Sequence, residues 1–424
     1  MSQATAAPVT TGPDGMETVE SFRLRARAWL AENMPRLPEA TDDVAPEGDD
    51  DAAWVRAREL QRTLWDGGFA GICYPKQYGG LGLSEAHQHA FTEESLPYEM
   101  PLLLNVPTLS ICAPVILDMG TEEQKLEHLP KVLRGDEVLV QFLSEPSGGS
   151  DLAGLITRAD RDGDVFRING AKTWSTSAYA ADFGLCLTRT DATVPKHRGL
   201  TMFLIPTKAP GITMRRITQV NGSTEFCEEF FDDLVVPASS VVGEVNGGWT
   251  VGSRQLFHER TAVGGGSPYV SGQGARSAGT AKLDLAELAR ETGQGDDPRV
   301  KELVGEAYAQ EKVQEALIGR IVSAVEKGQF PGPSASIIRL FHAETDQQHV
   351  DYEVAIAGSA AVTGPAGQRS AGYAGQHYLM RQGASLGGGS TEMARNIISE
   401  RILGMPREHA ADRDVPFNEV KRGR

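Results

Sequence analysis

EVLVQFLSEPSGGSD, residues 137–151, marks the point where the chain changes its period. Before it, apolar residues recur every three or four positions, as in FRLRARAWLAENM (22–34) and WVRARELQRTLWDGGF (54–69). That spacing gives a helix one apolar face. A turn-rich break, YPKQYGGLGLS, follows at 74–84. TEEQKLEHLPKVL (121–133) then begins with a possible capping box, Thr121 with Gln124. From residue 137 the period falls to two, in VLVQFLSE, DVFRINGAKTW, FGLCLTR, LTMFLIP, ITMRRI and FCEEFFDDLVV. Gly, Pro, Asp and Asn separate these runs, as expected for an antiparallel barrel or sandwich. After Trp249 the helical period returns and persists to about Leu403. The expected architecture is α+β and multidomain. It comprises a disordered tail at 1–16, an N-terminal helical domain at 17–136, a middle antiparallel β domain at 137–245 and a C-terminal helical bundle at 246–424.

Composition narrows the function classes. A chain of 424 residues with a formal charge of -16 disfavours nucleic acid or an anionic membrane surface as the main partner. Acidic residues cluster at 42–51, which reads as a solvated loop. Cys73, Cys112, Cys186 and Cys227 stand alone, without CxxC spacing, so no metal site is expected and the setting is a reducing cytoplasm. His87 and His89 read as a surface pair whose rings point apart on a helix. The first residues lack the charged and apolar regions of a secretory signal, and no apolar run approaches the ~20 residues that span a bilayer. GQGARSAG (272–279) is a near miss for a dinucleotide fingerprint, with no strand before it.

Four stretches carry possible chemistry. In SEPSGGSD (144–151) a sharp turn leaves N–H groups and small hydroxyls open at close range, although a plain hairpin loop has the same composition. In KTWSTS (172–177), Trp174 beside Ser175 and Thr176 forms a flat wall with hydroxyl donors. Such a wall suits an aromatic ring cofactor, or a Trp that caps the core of the sheet. In SLGGGSTEMARNIISERILGMP (385–406), Ser390 and Thr391 open a helix whose free N–H groups favour phosphate. In RQLFHERTAVGGG (254–266), Glu259 shares a helical face with Leu256, Ala262 and Val263. A carboxylate desolvated in an apolar stripe is a stronger base for a weakly acidic C–H. An ion pair with Arg254 or Arg260 is the competing reading.

YPKQYGGLGLS, SEPSGGSDLAG, NGAKTWSTS, FFDDLVVPASSVVGEVNGGW and GGGSTEMARNIISERILGMP follow one another in an order and spacing that resemble the acyl-CoA dehydrogenase family over nearly the whole chain. The resemblance implies helical, β and four-helix-bundle domains holding FAD between them. It also implies α,β-dehydrogenation of an acyl-CoA thioester, with electrons passed to an electron-transferring flavoprotein. Gln141, Leu143 and Ser144 match positions that line the flavin, and Ser150 one that touches the acyl-CoA. Trp174 and Thr176 match residues that pack on the isoalloxazine and bond its reactive edge, with Ser175 between them. Ser390 matches a hydroxyl on the FAD pyrophosphate, and Glu392 is grouped with it at the cofactor.

In the best-known branch the base lies two residues before the position of Ser390, where this chain has Gly388. The resemblance to the isovaleryl-CoA and long-chain branches places the catalytic Glu directly before an Arg, here Glu259-Arg260, with Arg260 on the substrate side. Gly388 retains a backbone N–H for the thioester carbonyl, and its missing side chain suggests a branched or bulky acyl group.

Two family signatures are absent. Residues 279–304 lack the Phe-Gly and Gln that reach a neighbour's FAD, and YEVAIAGSAAVTGPAG (352–367) replaces a Gln followed by a Gly pair. The cofactor's negative charges then need neutralising from elsewhere. The expectation is a homo-oligomer using Arg276 or Arg299, or a heteromer resembling the bacterial two-chain acyl-CoA dehydrogenases. A non-catalytic subunit that completes a homologous partner's FAD site is the rival.

Overall fold

The computed structural model describes residues 9–12, 15–37, 51–263, 266–272, 282–364 and 369–421. The acidic stretch at 42–50 and Arg276 lie outside them. By packing, the chain forms two compact units, one of residues 1–218, 223–276 and 411–424, the other of 219–222 and 277–410.

The first unit begins with α1 (Val19–Asn33), α2 (Asp51–Asp66) and α3 (Glu85–Ser95). Phe22, Ala26 and Leu30, four residues apart, are fully buried on α1 beside Leu64, Phe69 and Phe91. The expected tail is partly structured. Thr11 pairs with Glu17, and the Thr10 N–H donates to the Ser21 hydroxyl at 3.0 Å, so these residues fold back on the start of α1. The expected His87/His89 surface pair is half right, since His89 is exposed while His87 is buried. The His87 ring is held between the Ser84 hydroxyl and the Glu17 carbonyl.

Next come α4 (Ala113–Met119) and α5 (Glu122–Arg134), the latter opened by the predicted capping box of Thr121 and Gln124 and closed at Gly135 with φ 84°. Residues 102–119 are apolar enough to cross a membrane by length and composition, but 67% of that stretch is buried inside the protein.

The sheet holds β1 (Leu139–Phe142), β2 (Arg158–Asp162), β3 (Val165–Thr176), β4 (Phe183–Arg189), β5 (Leu200–Pro206), β6 (Ile212–Ile217), β7 (Phe226–Pro237) and β8 (Val241–Val242). Its order is β6-β7-β3-β2-β4-β5-β8, with β1 on β4. Every period-two run became a strand. The sheet is mainly antiparallel, with parallel contacts at β1–β4 and β2–β4. These arise because the chain crosses over through β2 and β3 before returning beside β1. β2, RADRD, escaped the reading because its residues are almost all exposed and charged.

The helix α6 (Gly248–Val263) packs on β5 and α4, and so belongs by contact with the sheet. A Cβ at Gly248 would lie 2.6 Å from the Thr201 backbone, so a side chain there would push the helix off β5. The C-terminal segment also returns to this unit, where Arg189 stacks over Phe417 and Lys196 pairs with Asp412.

The second unit is helical, with α7 (Leu285–Glu291), α8 (Pro298–Glu326), α9 (Ala335–Ala357), α10 (Ala360–Thr363), α11 (Arg369–Met380) and α12 (Thr391–Ile397). Helices α7, α8, α11 and α12 each pack against α9, around Leu288, Ile356, Ala371 and Ala374.

Candidate active site

Helix α6 buries one stripe, Gly248, Val251, Gly252, Gln255, His258 and Ala262, and Glu259 stands half-buried at its margin. The predicted apolar stripe is corrected here. Leu256 packs on the core and Ala262 is buried, but Val263 is 42% exposed, and the buried positions include Gln255 and His258. The carboxylate therefore has amide neighbours. Gln141 donates its Nε2–H to Glu259 Oε2 at 3.2 Å, and Gln255 donates to Gln141 Oε1 at 3.1 Å. Burial, with a smaller contribution from the Glu259 charge, raises the thiol of fully buried Cys112 above the ordinary range. Asp118 of α4 accepts from Arg254 Nε at 2.5 Å and sits 2.8 Å from His258 Nε2, which fixes α6 on both sides of Gln255. Arg254, the first candidate ion-pair partner of Glu259, is thus engaged by Asp118. Arg260 is exposed at the next position of the helix.

Trp174 overturns the reading of a core-capping Trp. Its side chain is 57% exposed, its φ is 63°, and it is the extra residue where the β3–β7 register shifts between Thr173 and Ser175. A bulge and a left-handed non-Gly residue at one position re-aim the indole, a form of strain that collects at ligand sites. Thr176, half-buried, closes the strand two residues on. The 144–151 turn is tied to this plate by the Thr173 N–H, which donates to the Ser144 carbonyl at 3.0 Å. Ser144 is half-buried and Ser150 exposed, while Leu143 lies in the core.

Ser175 turns the other way, into the protein, and donates to Glu229 Oε2 at 2.9 Å. Its hydroxyl is therefore committed to the interior face of β3, a correction to its placement at the cofactor. Sequence reasoning also missed the ionic cluster on that face. Lys172, fully buried, donates to the Leu143 carbonyl and to Glu145 Oε1, both at 3.0 Å, and Glu145 accepts the Ile156 and Thr157 N–H groups. A lysine and a glutamate in otherwise buried strand positions were the available signal.

Burial pushes the Glu229 carboxyl up to about 8, against which Ser175 and Lys172 pull only partly. Glu229 thus keeps its proton in the folded protein over a range where the unfolded chain, near 4.5, has lost it. Its contribution to stability is complete below about pH 4.5 and disappears as the pH rises through about 8. Unfolding midpoints measured from pH 5 to 9 are expected to fall less steeply in Glu229→Gln than in the wild type; equal slopes would contradict this.

In the second unit, Gly388 and Gly389 take φ 70° and 95°, a conformation that suits glycine. Arg339 of α9 holds this loop through the Ala384 and Gly387 carbonyls. Ser390 caps α12 as predicted, accepting the Met393 N–H at 3.2 Å. Glu392 is exposed in the first turn, its carboxyl held below the usual range first by its own backbone N–H and then by Ser390. Of the signature-deficient segments, 279–281 and 365–367 lie outside the described residues, and Arg299 is exposed.

Burial raises the Cys186 and Cys227 thiols to about 12 and about 11, and Cys73 to about 12. These groups are poor nucleophiles. A half-buried carboxylate on a pinned helix, with an exposed aromatic plate on the same unit, suits proton abstraction in a flavin-dependent dehydrogenase. The amino-terminal, middle and carboxyl-terminal acyl-CoA dehydrogenase domain models match residues 16–136, 141–234 and 246–403. The chain belongs to the acyl-CoA dehydrogenase family, flavoprotein oxidoreductases that act on CH–CH groups.

It is 34% identical over 396 residues to acyl-CoA dehydrogenase IpdE1 of Mycobacterium tuberculosis, covering 93% of this chain and 99% of that one. Among solved structures it is similar to the Tcur3481–Tcur3483 steroid ACAD, with a TM-score of 0.73 and 31% identity over 92% of this chain and 98% of that one. It is also similar to the ChsE4–ChsE5 complex from Mycobacterium tuberculosis, with a TM-score of 0.69 and 26% identity over 95% and 100%.

Proposed function

We propose that this chain is a catalytic subunit of a two-chain acyl-CoA dehydrogenase, that its flavin is FAD, and that it oxidises a bulky, ring-bearing acyl-CoA thioester. The observation that carries the reading is the Glu259 carboxylate, half-buried on α6 and hydrogen-bonded to Gln141. Glu259 takes the α-proton of the thioester, becoming a carboxylic acid. A bound flavin supplies the acceptor for the electron pair and hydrogen of the β C–H bond, leaving a 2-enoyl-CoA. Trp174, Thr176 and the 144–150 turn are the residues that would hold its ring. The pinned helix does the rest, because abstraction of a weakly acidic proton needs orientation as well as basicity.

A large acyl group is supported by Gly388, which presents backbone alone, and by the similarity to a steroid ACAD. A heteromer is supported by the missing FAD signatures and by similarity to the Tcur3481–Tcur3483 steroid ACAD and the ChsE4–ChsE5 complex. The electrons pass onward to an electron-transferring flavoprotein in this reading.

The test is to purify the chain alone and co-expressed with a homologous partner, and to read flavin content from visible spectra. Substoichiometric flavin alone and full occupancy with the partner are expected, with occupancy falling severalfold in Trp174→Ala. A fused-ring propanoyl-CoA thioester is expected to bleach the flavin faster than butyryl-CoA. Full flavin in the lone chain would remove the two-chain part, and strict preference for butyryl-CoA would remove the bulky substrate.

A further inference from the structure

We propose that Gln255, acting through Gln141, is a positioning residue for Glu259, and that the two amides turn over together when the base takes its proton. This rests on Glu259 being the base. An ionised carboxylate only accepts hydrogen bonds, so Gln141 must present its Nε2–H to Glu259, as the 3.2 Å contact has it. That leaves Gln141 Oε1 facing α6, where Gln255 Nε2 donates to it at 3.1 Å. Gln255 is fully buried, and its own Oε1 has no hydrogen-bond partner among the described residues. An orphaned buried amide oxygen is unfavourable, and it calls for an explanation.

The other state of the base gives that oxygen a partner. Once the α-proton sits on Glu259, the carboxyl gains an O–H donor and needs an acceptor. Gln141 meets it with Oε1 by turning its amide over, which brings Nε2 toward Gln255. The oxygen of Gln255, unmatched before, then becomes the acceptor after a matching turn. Its Nε2 moves into the unmatched place, so the amide leaves one polar atom unpaired in either state. Both ends of the proton transfer thus find Glu259 hydrogen-bonded, without movement of the helix, which Asp118 pins through Arg254 and His258. The relay joins β1 to α6 across 114 positions of sequence.

The readout is exchange of the thioester α-hydrogen with D2O, followed by mass spectrometry of the fused-ring propanoyl-CoA, alongside its Kd and the flavin content. Gln255→Met is expected to keep Kd and flavin within about twofold while slowing exchange about tenfold, the scale of effect when a reacting group is slightly misplaced. Gln141→Met should slow it by a further several-fold, and the double variant should be no slower than Gln141→Met. Two results overturn the proposal. Multiplying effects in the double variant would mean that Gln255 acts independently of Gln141. Exchange as fast as wild type or faster in Gln255→Met would mean that the amides serve the ionised carboxylate alone. Failure of the underlying reading looks different, since Glu259→Gln would then exchange as fast as the wild type.

Discussion

Glu259→Gln is expected to lower the rate of flavin bleaching by acyl-CoA by a factor of about 10²–10⁴, the range that a positioned general base supplies. Gln keeps the size and one oxygen of Glu, so the contact with Gln141 can survive while the ability to hold a proton is lost. Flavin content and thioester affinity should stay near wild type, because the side chain is half-buried at the margin of a helix held elsewhere by Asp118. Stopped-flow bleaching with saturating thioester isolates the chemical step from binding. Unchanged bleaching would remove Glu259 from the chemistry and leave the chain as a partner's supporting subunit.

Lys172→Met is expected to destabilise the first unit by about 3–5 kcal/mol, because it leaves Glu145 charged, buried and without its counterion. Burial alone would raise the Glu145 carboxyl. Lys172 and the Thr157 and Ile156 N–H groups outweigh that and keep it below its ordinary range. Neither partner has exposed surface for water to screen, since the two side chains are 0% and 1% exposed. Replacing both at once, as Lys172→Met with Glu145→Leu, should recover part of the loss. Urea unfolding followed by Trp fluorescence measures it, and a loss below about 1 kcal/mol in the single variant would show that water reaches the pair. Because Lys172 also holds the Leu143 carbonyl, the single variant should loosen the turn that Thr173 ties to β3.

The fold was largely legible because its signals are local. Period-two runs made β1 and β3 to β7, and Thr121 with Gln124 made the start of α5. Where the reading failed, the deciding contact came from far away in sequence. Ser175 was placed beside Trp174 by adjacency, yet neighbouring strand residues point to opposite faces, and Glu229 of β7 claims the hydroxyl. Val263 completes a helical face on paper but is exposed as the last residue of α6. His87 looked like a surface residue until Phe22 and the Glu17 carbonyl enclosed it.

The candidate site divides in the same way. Sequence by itself determined the fold class, the Glu on α6, the Trp at the end of β3 and the cap at Ser390, since each is set by spacing along one element. The tertiary structure decided that Gln141 stands against Glu259, that Gln255 backs Gln141, and that Asp118 engages Arg254. The physical reason is directional. A hydrogen bond needs donor and acceptor within about 3 Å and aligned, and only the packing of β1 and α4 on α6 brings such distant residues that close.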